Sequence, residues 1–278
     1  MVMAQCLLQT LKSREDNPAI TLAAPAVTAR LAHRMPEVGK IIETPFQHGR
    51  LQLADRWRIG RSLRGHRFDQ AIILPGSLKA ALLPFFAKAA VRTGYRGEPR
   101  WGLINDPRTR PSTKDDPMAA RFVQLAFAAD AAAVSTYPYP RLVNYPQNVA
   151  RIFQSIGRNV TSAPIIALCP GAEFGPAKRW PEAHFAAVAD HFLQQGWQIW
   201  LLGGQSDQAV ARNIVRTSSD PEQCVDLTGK TSIEDVIDLL AHARAAVSND
   251  SGLMHVAAAT RTPIVGIFGS SSELHTPP

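Results

Sequence analysis

The order of patterned segments constrains this chain more than any single motif. Met1 to Arg14 has the spacing of an amphipathic helix, Ala19 to Ala23 that of the strand after it, and helix and strand then alternate to Phe268. Such alternation folds as a parallel sheet, because parallel neighbours need a long connection and a crossover helix supplies it. Domains of this class normally begin with a strand, whose turn into the first helix commonly carries ligand contacts. Here a helix comes first. At the far end Thr262 to Phe268 reads as a strand, and Ser270 to Pro278 follows without a closing helix. The expectation is an internal piece of a longer enzyme, with part of its active site just before Met1.

Within the first half the pattern gives helix 1–14, strand 19–23, helix 26–33, strand 38–42, helix 51–64, strand 69–74, helix 77–88 and strand 90–94. Gly97 to Pro117 is Arg- and Pro-rich and reads as irregular, Met118 to Ala132 as helical. Pro138, Pro140 and Pro146 punctuate a linker near 135–147. After it, Ile165 to Cys169 is a buried strand. Pro181 suits a first helical turn, Phe185, Val188, Ala189, Phe192 and Leu193 mark one helical face, and Gly196 ends it. Gln198 to Leu202 is the next strand. Ser232 and Asp235 resemble a capping box opening helix 232–243. Ala245 to Ser248 is a strand, Gly252 to Ala259 a short helix, Thr262 to Phe268 the last strand. The division is 1–147 and 148–278, two Rossmann-like domains of α/β class facing a central cleft.

At 278 residues, 45% hydrophobic and 19% charged, the chain is globular and long enough for two cores. No apolar run reaches the ~18 residues of a membrane span, and Met1 to Leu11 lacks the basic leader and cleavage site of a signal peptide. Cys6, Cys169 and Cys224 are odd in number and have no metal-ligand spacing, which fits a cytosolic protein. Charge is uneven. Residues 1–160 hold 23 Lys and Arg against 11 Asp and Glu, residues 161–278 hold 7 against 12. The first half therefore suits a polyanion, either nucleic acid or a phosphorylated membrane surface.

Two segments join a strand to a helix at the edge where such folds bind ligands. Cys169-Pro-Gly-Ala-Glu-Phe-Gly-Pro-Ala-Lys-Arg-Trp-Pro181 offers Gly171 and Gly175 for close backbone approach, and Lys178 and Arg179 as cations for a phosphate. Ser248-Asn-Asp-Ser-Gly-Leu-Met-His255 offers the free N–H groups of helix 252–259 for a pyrophosphate. Its Asp250 suits a sugar hydroxyl better than a phosphate, since like charges repel; His255 lies one turn into the helix. In the first half, Leu74-Pro-Gly-Ser-Leu-Lys79 places Ser77 as a helix cap and Lys79 in the first turn, where a cation opposes the dipole and hints at an anion. His48, in the post-strand loop Phe46 to Arg50, is a further candidate. No Gly-x-Gly, Walker A loop, His-Glu-x-x-His or Asp-x-Asp occurs. A bound diphosphate would thus be neutralised by lysine and helix dipoles, without a metal.

Cys169 to Pro181 and Ser248 to Ala259 resemble the donor-site motifs of the bacterial lipopolysaccharide heptosyltransferases, glycosyltransferase family nine. Leu74 to Ala87, Gly94 to Asp106 and the closing Thr276-Pro-Pro also resemble that family, so the similarity runs along nearly the whole chain. The resemblance implies a GT-B fold and inverting transfer of L-glycero-D-manno-heptose from ADP-heptose to the first heptose of the inner core. It implies that Lys178 contacts the diphosphate and Asp250 the heptose, with Ser251, Gly252, Leu253, His255, Gly171 and Glu173 lining the donor site. Ser77, Lys79 and His48 would lie on the acceptor side. The acceptor would be a phosphorylated, Kdo-containing heptose–lipid A, met at the cytosolic face of the inner membrane. No cofactor is implied. The family's expected general base, an Asp, would precede Met1, so no catalytic residue is expected within the chain and this piece would transfer heptose poorly. Gly76 stands where the resembled enzymes usually carry Asn.

Three other readings compete. A transferase for another nucleotide sugar would prefer UDP or GDP to ADP. A binding module without catalysis would hold a nucleotide sugar unchanged. A nucleic-acid binder would use the basic half, but the sequence has no recognition module and no aromatic stacking platform.

Overall fold

A computed structural model of the chain describes residues 1–110, 117–172 and 176–278. They form two compact units. The N-terminal unit is Cys6–Ala29 with Glu37–Pro138; the C-terminal unit is Met1–Gln5, Arg30–Pro36 and Tyr139–Pro278. Among the described residues each carries only parallel strands, as the alternating pattern requires, and both are of α/β class.

In the first 138 residues the elements are α1 (Gln5–Lys12), β1 (Thr21–Pro25), α2 (Ala26–Ala32), β2 (Lys40–Thr44), α3 (Leu53–Ser62), β3 (Gln70–Ile73), α4 (Leu78–Phe86), β4 (Val91–Tyr95), β5 (Asp106–Arg108) and α5 (Met118–Gln124). β1 pairs with β2, and β3-β4-β5 form a second sheet. Leu63, Leu83 and Ala87 pack with Ile42, Phe46, Ile59 and Phe68 beneath α3 and α4. Gly60 lets the two helices touch: a Cβ there would lie 2.5 Å from the Cβ of Phe86. Two readings are corrected. β5 lies inside the stretch taken as irregular, held by pairing of Thr93 with Asp106 and Tyr95 with Arg108. The helix expected over 118–132 stops at Gln124, whose side-chain amide donates to the carbonyls of Ala131 and Ala132 and folds the chain back.

The C-terminal unit contains α6 (Gln147–Ser155), β6 (Ile165–Cys169), α7 (Glu182–Leu193), β7 (Gln198–Leu201), α8 (Gln208–Thr217), β8 (Cys224–Asp226), α9 (Ile233–His242), β9 (Ala245–Asn249), α10 (Gly252–Ala259) and β10 (Ile264–Ile267). Its sheet runs β10-β9-β6-β7-β8. Every residue of β6 and β7 is buried, the mark of strands covered by helices on both faces. Ile166, Leu168, Ile199, Leu201 and Val247 meet Phe185, Ala189 and Ile214 from α7 and α8, each large side chain contributing about 1.5–3 kcal/mol by burial. Trp200 packs on Phe153 at 4.8 Å, and its indole N–H donates to Gln198 Oε1. Among the described residues no helix is long and apolar enough to cross a membrane.

Candidate functional site

Strand order reverses between β6 and β9. Their successors, β7 and β10, lie on opposite sides, and open parallel sheets take ligands outside the carboxyl ends of the strands at such a point. Cys169 is in register with Ser248, so the two motif-bearing loops leave the sheet side by side. Asn249, fully buried, straps them together. Its Nδ2 donates to Pro170 O at 2.7 Å, and its Oδ1 accepts from Trp180 N at 3.1 Å. Apart from adjacency to Asp250, no local pattern marks this role.

On that frame Lys178, ending the short turn Pro176–Lys178, donates from Nζ to Asp250 Oδ2 at 2.6 Å. The carboxylate is 6% exposed and the lysine side chain 28%. Asp250 is fixed from the other side, its N–H donating to Ile267 O on β10. Burial opposes its charge, but Lys178 and Ser271 outweigh that and hold the carboxyl below the usual carboxylate range. Arg179 differs from expectation: its guanidinium folds back to donate to Ala172 O.

At the start of α10, Ser251 is the N-cap residue but makes no capping bond; its hydroxyl lies 3.3 Å from that of Ser248. A Cβ built on Gly252 meets nothing within 4 Å. The first amides of α10 therefore open onto free space with no capping side chain, an arrangement suited to an anion. Met254, Val256, Ala257 and Ala259 bury one face of the helix, leaving Leu253 and His255 partly exposed on the other. Burial lowers the pKa of His255, with Asp250 pulling the other way, so its imidazole is neutral at pH 7.

Gly171 answers to a neighbour distant in sequence. A Cβ there would collide with the Asp207 carboxylate, which accepts from Gly204 N at 2.9 Å. Asp207 follows β7 as Lys178 follows β6, and that equivalence was its only signal. Glu173, with Phe174 and Gly175, lies outside the described residues.

Two of the remaining candidates share a tie. Buried Arg56 donates to Leu51 O and, at 2.9 Å, to Lys79 O, and stacks on Phe46 at 3.9 Å. It thereby joins the loop that bears exposed His48 to the first turn of α4. Ser77 stands at the N-cap of α4 without a capping bond. The Glu98 carboxylate caps instead, accepting from Leu78 N at 2.8 Å, because the Gly97 backbone packs against Gly76 and carries Glu98 over the helix end. Gly76 leaves room for Arg110, whose guanidinium would lie 2.9 Å from a Cβ there.

The sequence profile of glycosyltransferase family 9 (heptosyltransferase) matches residues 56–278. Lipooligosaccharide heptosyltransferase 2 of Haemophilus influenzae is 42% identical, the alignment taking in all of this chain and 82% of the relative. Lipopolysaccharide heptosyltransferase 2 of Salmonella typhimurium is 41% identical over the same shares. The solved structure of E. coli ADP-heptose LPS heptosyltransferase II superposes with a TM-score of 0.91 at 37% identity, covering all of this chain and 84% of that one.

Proposed function

Because the chain belongs to glycosyltransferase family 9, the heptosyltransferase family, we propose that it moves L-glycero-D-manno-heptose from ADP-heptose to the first heptose of the lipopolysaccharide inner core, inverting the anomeric carbon. The C-terminal unit serves as the ADP-sugar-binding domain and the N-terminal unit as the acceptor side. The observation that carries this reading is the Lys178–Asp250 pair at the strand-order reversal, beside the uncapped start of α10. The ADP-heptose named for the superposed E. coli enzyme supports the donor.

In this reading the amides of Ser251, Gly252 and Leu253 and the Lys178 ammonium take the diphosphate. Asp250 accepts from a heptose hydroxyl, and His255 lines the same site as a neutral ring. The acceptor hydroxyl attacks the anomeric carbon as the bond to the ADP oxygen breaks. ADP leaves with the electron pair, and its charge is met by Lys178 and the α10 dipole without a metal. The acceptor proton passes to a base. Asp250, held ionised by Lys178, is too weak a base for that step, and no donor-site residue is assigned to it. Ser77, Lys79 and His48 sit on the acceptor side, where phosphorylated Kdo-containing sugars would meet the basic half. The protein works at the cytosolic face of the inner membrane.

Calorimetric titration with ADP, UDP and GDP tests the assignment. ADP should bind best, and Lys178→Ala should weaken it roughly tenfold or more, the scale of one charge-assisted hydrogen bond, with a lowered melting temperature as well because the buried Asp250 carboxylate loses its partner. Stronger binding of UDP or GDP would assign the site to another nucleotide sugar.

A further inference from the structure

Of the five tryptophans, two are well exposed, Trp101 at 90% and Trp57 at 46%, and both lie in the N-terminal unit. Neither is isolated. Trp57 is on the outer face of α3, where the Arg61 guanidinium lies 5.3 Å from its ring centroid and Leu53 is half exposed one turn earlier. Beyond α3, Arg64 donates from Nε to Phe86 O, linking this face to the end of α4. There Phe85, 40% exposed, lies under Arg92 at 5.7 Å. Arg92 in turn donates to the carbonyls of Ala89, Leu103 and Gly102, fixing the loop that carries Trp101. Two ring–guanidinium pairs, Trp57 with Arg61 and Phe85 with Arg92, are thus carried on segments that Arg64 and Arg92 tie together. Beside Phe85 and Phe86 is a shallow hollow of about 430 Å³ whose charged lining is Arg64, Lys88 and Arg92, with no carboxylate.

A partner would take exposed aromatic surface out of water, and here the rings stand beside cations that no acid in the hollow neutralises. A partner that is apolar beneath and anionic at its surface fits both halves of the pattern. Tryptophan prefers the interface between headgroups and acyl chains, and arginine near it is attracted to acidic headgroups. We infer that this surface docks the protein on a bilayer rich in anionic phospholipid, with a headgroup phosphate seated in the hollow among Arg64, Lys88 and Arg92. The inference deepens the membrane-side reading proposed above by naming the surface that makes the contact. The surface lies where α4 runs into β4, at the amino end of that strand, whereas His48 lies in the loop after β2 and Ser77 and Lys79 at the start of α4, after β3. Docking there leaves those residues off the lipid.

Sedimentation of the full chain with vesicles of phosphatidylglycerol, and separately of phosphatidylcholine, tests this. The chain should sediment with the anionic vesicles alone, and less as salt rises. Trp57→Ser with Trp101→Ser should lower partitioning roughly tenfold by removing interfacial anchors. Lys88→Gln should lower it about fivefold, the share of one cation near a charged surface. A parallel ADP titration, on the other unit, should be unchanged in all variants. A chain that binds ADP but ignores anionic vesicles overturns the surface, and so does one whose variants sediment like the parent. Variants that lose retention on single-stranded DNA but not on vesicles overturn it in favour of nucleic acid. Vesicle binding without any ADP binding would leave the surface standing and sink the donor assignment instead.

Discussion

At the scale of single residues, the Lys178–Asp250 contact sets up a competition. Lys178 has one ammonium for two partners, the carboxylate it touches at 2.6 Å and any phosphate that enters. Neutralising the carboxylate should release the lysine. Asp250→Asn is therefore expected to bind ADP as tightly as the parent or several-fold tighter, while ADP-heptose, whose hydroxyl then meets a neutral acceptor in place of a charged one, binds roughly tenfold weaker. Calorimetry with both ligands separates the outcomes; parallel losses for both would mean that the pair only holds the loops in place. His255 gives a pH signature. Its pKa is lowered in the fold by burial, so between the folded and unfolded values the unfolded chain binds the extra proton. Stability should then fall as pH drops through about 6.5, and His255→Gln should flatten that part of a urea-midpoint profile. The sequence marked both side chains, because a charge in a turn after an apolar strand has few structural uses. Asn249 and Arg56 were not legible. Each works through backbone carbonyls supplied by distant segments, and nothing in the local spacing records them.

At the scale of elements, what could be read depended on length and on local bonding. β6 and α10 have the extents their patterns predict, since apolar runs bounded by turn residues leave few alternatives. β5 and β8, three residues each, are too short for periodicity and exist through pairing with β4 and β7. α6 and α8, also unread, have narrow apolar stripes among polar residues: Val149, Ile152 and Phe153 in one, Ala211 and Ile214 in the other. Capping chemistry divides the same way. The Ser232–Asp235 box is wholly local and forms as written, the hydroxyl accepting from Asp235 N and the carboxylate accepting from Ser232 N. The cap of α4 comes from Glu98, 20 residues on, so Ser77 was credited with it in error. Ser232→Ala should cost about 1 kcal/mol in urea unfolding. Burial opposes ionisation of Asp235, but its bonds to Ser232 and Arg151 prevail and its pKa is lowered. A lowered carboxyl contributes stability in full above its unfolded value, near 3.9, and loses it as pH falls toward the folded value. Asp235→Asn should therefore blunt the acid side of the unfolding curve below about pH 4 and leave the His255 step untouched.

At the scale of the molecule, the course of the chain rests on a contact that no linear reading could find. The C-terminal unit takes in residues 30–36 as well as 139–278, and Arg34 is the reason. Its guanidinium, 6% exposed, grips Asp238 with two parallel bonds of 2.8 Å across 204 residues of sequence and donates further to Val143 O and Glu234 O. Asp238, fully buried, also accepts from Tyr145 N and Asn148 Nδ2, so one carboxylate holds three stretches of chain. The linker read near 135–147 does not swing free at Val143 and Tyr145 for the same reason. A buried pair of this kind owes little net stability to its charges, because desolvation offsets their attraction; its weight is felt when one partner is lost. Asp238→Ala leaves a buried guanidinium, a backbone N–H and an amide without their acceptor, and should lower unfolding free energy by about 3–5 kcal/mol. Arg34→Met with Asp238→Leu removes both charges and should recover part of that loss, though the Tyr145 and Asn148 donors stay unpaired. Urea unfolding of the three proteins decides it. A double variant no better than Asp238→Ala would mean that the carboxylate acts mainly through Tyr145 and Asn148, and that the arginine is a passenger in this tie.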